Sequence, residues 1–85
     1  MSIKLEIFKK KLLYRASYRG TKEMDILLSK FVSKFINEFN EEYLIELDNF
    51  LNFEDEVIIN FYQYNIIKQK IDQNKVSKIF KNFKI

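Results

Sequence analysis

The sequence predicts an all-α fold, a compact bundle of about five short helices that forms one domain over residues 1–85. Proline is absent and Gly20 is the only glycine, so little in the chain interrupts a helix. Apolar residues recur at spacings of three and four, which is the periodicity of amphipathic helices rather than of strands. They make up 47% of the 85 residues, which suffices for one hydrophobic core and leaves no room for a second domain.

The first two helices follow from this periodicity. The first is predicted over residues 3–17, and Gly20 follows in the connection, where helices commonly end with a residue at positive φ. Thr21 is the predicted N-cap of the second helix, with Glu23 and Asp25 in a first turn where the helix dipole favours negative charge. The apolar faces comprise Leu5, Phe8, Leu12, Leu13 and Ala16 in the first helix, and Leu27, Leu28, Phe31, Val32, Phe35, Ile36 and Phe39 in the second.

Three more helices are predicted in the rest of the chain. Asn40 is the predicted N-cap of the third helix, and Asn52 marks its end. The acidic run 54–56 opens the fourth helix, and Asp72 is the predicted N-cap of the fifth. Residues 63–71 fit either a backward extension of the fifth helix or a packed connection. The apolar residues of these helices are Leu44, Leu47 and Leu51, then Val57, Ile58, Phe61 and Tyr62, and finally Val76, Ile79, Phe80 and Phe83.

The composition excludes several chemistries. The chain has no cysteine and no histidine, so disulfides, zinc–thiolate sites, imidazole ligation and catalysis by a Cys or His nucleophile are ruled out. Carboxylate metal sites stay possible, but no Asp-rich calcium-binding loop is present, and we predict no catalytic and no metal-binding residues. No segment approaches the roughly 20 consecutive apolar residues of a membrane span, and the N-terminus lacks a secretory signal, which favours a soluble, intracellular protein.

Charge is divided along the chain, although the net charge is only +3. Residues 1–22 sum to +6, residues 23–56 to −8 and residues 57–85 to +5. This division fits solvated helix faces whose charges partly pair within the fold. It also fits a polar docking surface for a partner, and the sequence leaves both interpretations open.

The most informative segment runs from Leu12 to Asp25 and centres on Arg19 and Gly20. Gly20 lacks a Cβ, so it permits positive φ and close approach by another surface. Arg19 presents a planar fork of donors suited to a carboxylate or to a cluster of backbone carbonyls. Glu23 lies about one turn into the second helix, which brings opposite charges to the corner. A helix cap, a solvated arginine and a carboxylate that complements the helix dipole also explain these features.

This segment resembles the SdhE family, also called succinate dehydrogenase assembly factor 2. The family signature is a basic residue, then Arg-Gly-x-x-Glu, an apolar residue and usually Asp. The chain matches it at Arg19, Gly20, Glu23, Met24 and Asp25. The resemblance covers residues 9–62 well and residues 63–85 loosely. The chain departs from the family pattern at Tyr18, Glu54 and Phe61, where a basic residue, Pro and Trp are usual.

The resemblance implies a five-helix, non-enzymatic assembly factor that binds the flavoprotein subunit of succinate dehydrogenase and promotes covalent attachment of FAD to a histidine there. It implies that Arg19, Gly20 and Glu23 form the core of the partner contact. The surround of that core would be Tyr14, Arg15, Tyr18, Lys22 and Asp25. We expect the chain to hold no cofactor firmly and to act on FAD carried by its partner. The related fumarate reductase is a further candidate partner.

Two alternative functions stay open at the level of sequence. One is a generic helical adaptor, and the other is a small nucleic-acid-binding domain that uses the basic run 9–11 with Arg15. The acidic middle would repel a duplex, so we expect no nucleic-acid partner. The basic, aromatic end at 75–84 would suit an anionic membrane surface, but a core-facing Phe stripe with solvated lysines also explains it, and we expect no membrane insertion. We expect a free monomer in a bacterial cytoplasm, with the mitochondrial matrix as the alternative.

Overall fold

The computed structural model describes residues 3–84, and over that range it confirms the predicted all-α class. Five α-helices follow one another in the described chain: α1 (Ile3–Ser17), α2 (Lys22–Phe35), α3 (Glu41–Phe50), α4 (Asp55–Tyr64) and α5 (Lys75–Lys81). One 3-10 turn, Ile71–Gln73, precedes α5. The predicted bounds of the first helix agree with those of α1.

Side-chain caps begin α2 and α3 at the predicted residues. Thr21 Oγ1 accepts a hydrogen bond from the N–H of Met24 at 3.3 Å. Asn40 Oδ1 accepts one from the N–H of Tyr43 at 2.9 Å. Each cap satisfies a backbone donor that has no partner within its helix, so both predicted N-caps are confirmed.

The predicted N-cap of the last helix is wrong. Asn74, not Asp72, caps α5, because its Oδ1 accepts from the N–H groups of Val76 and Ser77 at 2.8 and 3.0 Å. Asp72 lies inside the 3-10 turn. The turn shifts the start of α5 along the chain, so the free N–H groups of its first turn face residue 74 rather than residue 72.

Phe31 of α2 lies at the centre of the hydrophobic core. It is fully buried, and the rings of Phe50, Phe80 and Phe83 lie 6.3, 5.0 and 5.3 Å from it, each close to edge-on. Aromatic pairs favour this geometry. These contacts join α2 to α3 and to the C-terminal segment, and every one of the five helices contributes buried residues to the same core.

The C-terminal aromatic residues belong to this core. Val76 and Phe80 are fully buried, and Phe83 is 8% exposed. The interpretation of residues 75–84 as a core-facing stripe is therefore confirmed. Lys75, Lys78 and Lys84 are exposed as predicted, whereas Lys81 is half-buried and donates to the Phe61 carbonyl. Among residues 3–84, no helix combines the length and the apolar character that crossing a membrane requires.

Two predicted helix ends differ from the structure, and the structure also decides how residues 63–71 are arranged. α2 ends at Phe35 rather than running on to Phe39, although the turn after it still directs Ile36 into the core. Gly20 lies beyond the residue that follows α1, so it does not act as the cap of that helix. Residues 63–71 are not an extension of the fifth helix. α4 continues as far as Tyr64, and its C-cap Asn65 has a left-handed φ of 57°. In the connection that follows, Ile71 is buried, whereas Ile66 and Ile67 are exposed.

Three ion pairs join the basic ends of the described chain to its acidic middle. The pairs are Arg15–Asp48, Arg19–Asp55 and Lys75–Glu42. The Lys75–Glu42 pair is exposed, and the hydrogen bond to Glu42 together with its negative charge raises the pKa of Lys75. The division of charge along the sequence therefore acts partly within the fold, as the first of the two interpretations predicts.

Candidate functional site

The connection between α1 and α2, residues 18–21, forms a tight corner. The N–H of Arg19 donates to the Asp25 carboxylate, with N and Oδ1 2.5 Å apart. The N–H of Asp25 donates in turn to the Thr21 carbonyl at 2.9 Å. The acidic first turn of α2 therefore holds the preceding loop in place as well as complementing the helix dipole.

The guanidinium of Arg19 binds the connection between α3 and α4. Its Nε donates to Asp55 Oδ1 at 2.8 Å. Its Nη1 and Nη2 donate to the carbonyls of Leu51 and Phe53, each at 2.5 Å. Only 11% of the Arg19 side chain is exposed. All three nitrogens of the fork thus have acceptors within the chain, a carboxylate and two carbonyls, which suit its planar geometry.

Arg15, one helical turn before Arg19, holds the end of α3 in a similar way. Its guanidinium pairs with the Asp48 carboxylate, and its Nη2 donates to Asn52 Oδ1 at 2.6 Å. The last carbonyls of a helix lack partners within the helix and carry the negative end of its dipole, so cations are favourable there. The two arginines therefore bind the end of α1 and the corner to the C-terminal end of α3.

Gly20 is required at the corner by its backbone conformation. Its φ is +131°, a value that residues with a side chain rarely adopt. A Cβ at this position would have Asp55 Oδ2, at 4.0 Å, as its nearest neighbour, so packing leaves room for a side chain. Gly20 is itself exposed, and the surface above it is open to another molecule.

Most side chains around Gly20 that face solvent are aromatic or charged, and Thr21 is exposed beside them. Tyr14 and Tyr18 are 66% and 70% exposed, and their ring centroids lie 4.7 Å apart. Lys22 and Glu23 are exposed and form no ion pair within residues 3–84. Two tyrosines in ring contact beside an unpaired cation and an unpaired carboxylate offer both apolar area and hydrogen-bonding groups to a partner.

The residues predicted for partner contact divide into two groups. Arg15, Arg19 and Asp25 are engaged inside the fold, whereas Tyr14, Tyr18, Gly20, Lys22 and Glu23 are exposed around the corner. The sequence places Arg19 and Glu23 at one corner as opposite charges, but the structure pairs Arg19 with Asp55 instead. Contact between any of these eight predicted residues and a partner stays a prediction.

Sequence reasoning missed the acceptors of the two arginines. Helix-start preference accounts for the acidic run 54–56 in the sequence, yet Asp55 also binds Arg19, and Glu54 at the N-cap position makes no side-chain cap hydrogen bond. The division of charge along the sequence was the signal that could have indicated these acceptors. Two arginines four residues apart in the basic segment needed acceptors, and the acidic segment offered carboxylates on both sides of a helix junction.

The basic patch considered for nucleic acid is smaller than the sequence suggests. Lys9 is buried, and its Nζ donates to Asn37 Oδ1 at 3.3 Å. Arg15 is paired with Asp48, which leaves Lys10 and Lys11 as the exposed cations of this patch. In the part of the chain that the structure describes, no group of three or more acidic side chains is arranged to hold a metal ion.

The fold and the site define a small protein with five α-helices in residues 3–84 and a solvent-exposed corner between the first two, braced by the contacts of Arg19. Residues 10–84 match the family model described as flavinator of succinate dehydrogenase. The chain belongs to that family. The match includes α5, where the resemblance seen in the sequence is only loose.

Similar proteins carry names that agree with this family. The chain is 48% identical over 48 residues to succinate dehydrogenase assembly factor 2-B, mitochondrial, of Drosophila simulans, covering 56% of this chain and 31% of that protein. It is 38% identical over 78 residues to succinate dehydrogenase assembly factor 2, mitochondrial, of Scheffersomyces stipitis, covering 91% of this chain and 52% of that protein. The chain thus spans about half of the second relative's length and less of the first's.

Proposed function

We propose that this protein is a non-enzymatic assembly factor that binds the flavoprotein subunit of succinate dehydrogenase and promotes covalent attachment of FAD to that subunit. The observation that carries the proposal is the family match over residues 10–84. The names of the two relatives, both succinate dehydrogenase assembly factors, support it.

The corner provides the contact with the flavoprotein in this proposal. The exposed group, which consists of Tyr14, Tyr18, Gly20, Lys22 and Glu23, touches the partner. The braced group, Arg15, Arg19 and Asp25, keeps the corner in shape. The three internal acceptors of the Arg19 guanidinium and its 11% exposure support its role in fixing the corner. Direct contact of Arg15, Arg19 and Asp25 with the partner stays a prediction.

The composition of the chain limits its chemical contribution. It has no histidine and no cysteine, so the histidine that receives the flavin belongs to the partner. A docking protein accelerates a reaction by holding the reacting groups in place, an effect that reaches about 7–11 kcal/mol at its upper limit. The corner is already fixed by the contacts of Arg19 and Asp25, so its binding surface needs little ordering when the partner arrives. Glu23 brings an unpaired carboxylate to this surface.

The remaining parts of the proposal concern cofactor, partner range and compartment. FAD is carried by the flavoprotein, and this chain holds no cofactor firmly. Fumarate reductase, a related flavoprotein, is a second candidate client. The names of the relatives place those proteins in mitochondria. The bacterial cytoplasm stays a prediction for this chain, with the mitochondrial matrix as the alternative.

A reconstitution with purified components tests the proposal. Flavoprotein that lacks covalent flavin is incubated with FAD, with and without this chain, and covalent flavin is followed by fluorescence in a denaturing gel. We expect the chain to increase the rate. A Phe31→Asp variant serves as control, because a charge in the fully buried core unfolds the chain and removes its effect. A rate that is the same with and without the folded chain contradicts the proposal.

A further inference from the structure

The outer face of α1 carries an apolar stripe that the core does not use. Ile7, Tyr14 and Tyr18 are 48%, 66% and 70% exposed. The spacing of seven residues brings Tyr14 to within roughly 20° of Ile7 around the helix axis and places it roughly 10 Å further along α1. Tyr18 directly follows α1, and its ring contact with Tyr14 continues the stripe to the corner.

A shallow groove crosses this stripe. Its lining residues are Ile7, Lys10, Lys11, Tyr14 and Arg15. The floor is almost entirely apolar, and Tyr14 is held against Tyr18 by a ring contact of 4.7 Å. Tyrosines that are restrained before binding lose little conformational freedom in an interface, and such residues often dominate binding energy.

The rim of the groove is positively charged. Arg15 is neutralised by Asp48, but Lys10 and Lys11 are exposed and form no ion pair within residues 3–84. Glu6 is the only acidic residue of α1, and it is exposed and likewise unpaired in the described chain. A ligand that fills the groove therefore needs an apolar side chain for the floor and carboxylates for the two lysines.

We propose that this face of α1 binds an acidic segment of the flavoprotein, one that inserts a large apolar side chain between Ile7 and Tyr14 and pairs its carboxylates with Lys10 and Lys11. The inference rests on the proposed function, and it extends the corner contact along α1. A protein segment fits better than an anionic lipid or a nucleic acid, because the stripe ends at the corner, where the proposed function already places a protein partner.

Binding to the purified flavoprotein, measured at low and at physiological salt, tests the inference with variants outside the corner. Lys10→Glu combined with Lys11→Glu weakens binding by about tenfold or more at low salt and reduces its salt dependence. Ile7→Ser weakens binding several-fold at both salt concentrations. The matched controls are Lys30→Glu combined with Lys78→Glu and, for the apolar residue, Ile45→Ser, which is 57% exposed on α3. The controls bind like the wild type.

Two outcomes overturn the inference while leaving the proposed function intact. In the first, the α1 variants bind like wild type while Glu23→Gln at the corner weakens binding. In the second, Lys10→Glu with Lys11→Glu abolishes binding to phosphatidylglycerol vesicles or to duplex DNA but leaves the affinity for the flavoprotein unchanged. A wild-type chain that does not bind the flavoprotein overturns the proposed function and this inference together.

Discussion

Arg19 and Asp55 are separated by 36 positions in the sequence, yet Nε of one lies 2.8 Å from Oδ1 of the other. The pair joins the connection between α1 and α2 to the first residue of α4. Because Arg19 also binds the carbonyls of Leu51 and Phe53, one side chain fixes the relative position of two helix connections. The corner that the family signature marks is therefore a preformed surface.

Removing this contact should reduce stability. Arg19→Ala leaves the Asp55 carboxylate and two backbone carbonyls without their donor, and we expect the free energy of unfolding to fall by about 2–3 kcal/mol. Asp55→Ala should lower the free energy of unfolding by a smaller amount. The double variant should be less destabilised than the sum of the two, since both remove one interaction. Urea denaturation followed by circular dichroism measures all three.

A matched control for this cycle is the exposed pair of Lys75 and Glu42, whose side chains are 50% and 62% exposed. Lys75→Ala should leave the urea midpoint essentially unchanged, because exposed ion pairs contribute little. Additive losses for Arg19→Ala and Asp55→Ala would show that the two side chains do not act as a unit.

Gly20→Ala tests the backbone requirement at the corner. At a φ of +131° we expect a loss of about 1–3 kcal/mol in the free energy of unfolding. Gly20→Ser should lose a similar amount, since a Cβ meets nothing closer than 4.0 Å and the cost lies in the backbone rather than in crowding. Thermal denaturation of both variants checks this. Stability equal to wild type in Gly20→Ala would contradict it.

Ser77 on α5 is a residue whose removal should not reduce the free energy of unfolding. It is fully buried, and its Oγ has no hydrogen-bond partner within residues 3–84. Ser77→Ala should therefore be neutral or raise the free energy of unfolding by up to about 1 kcal/mol.

Asn74→Ala provides the comparison for Ser77→Ala. It should lower the free energy of unfolding by about 1 kcal/mol or more, because it removes the cap of α5 and the hydrogen bond from Nδ2 to the Glu46 carbonyl. Urea denaturation distinguishes the two variants. A clear loss in Ser77→Ala would show that the hydroxyl has a partner.

Local sequence rules were sufficient for the helices but not for the contacts between them. The apolar periodicity and the caps at Thr21 and Asn40 are properties of short segments, so α1, α2 and α3 follow from the sequence. The cap of α5 did not follow from the sequence. A 3-10 turn that depends on tertiary packing precedes this helix, so its N-cap is Asn74 rather than Asp72.

The candidate site shows the same limit. Gly20 and the first turn of α2 were predicted from local chemistry. The bonding of Arg19 was not, because its acceptors at Leu51, Phe53 and Asp55 come from a distant connection. The fork geometry of arginine predicted the kind of acceptor correctly, a carboxylate with carbonyls. It could not show that these acceptors belong to the chain itself.

In the proposed function, the exposed corner between α1 and α2 promotes covalent attachment of FAD to the partner. The most direct test is the initial rate of covalent flavin formation on the purified flavoprotein, with Glu23→Gln compared with Glu38→Gln. Both residues are exposed, and they lie near opposite ends of α2. We expect Glu23→Gln, with its fold intact by circular dichroism, to lower the rate by about tenfold, or ~1.4 kcal/mol. Glu38→Gln should keep the wild-type rate. Wild-type rates for both variants would contradict the proposed role of the corner in flavin attachment.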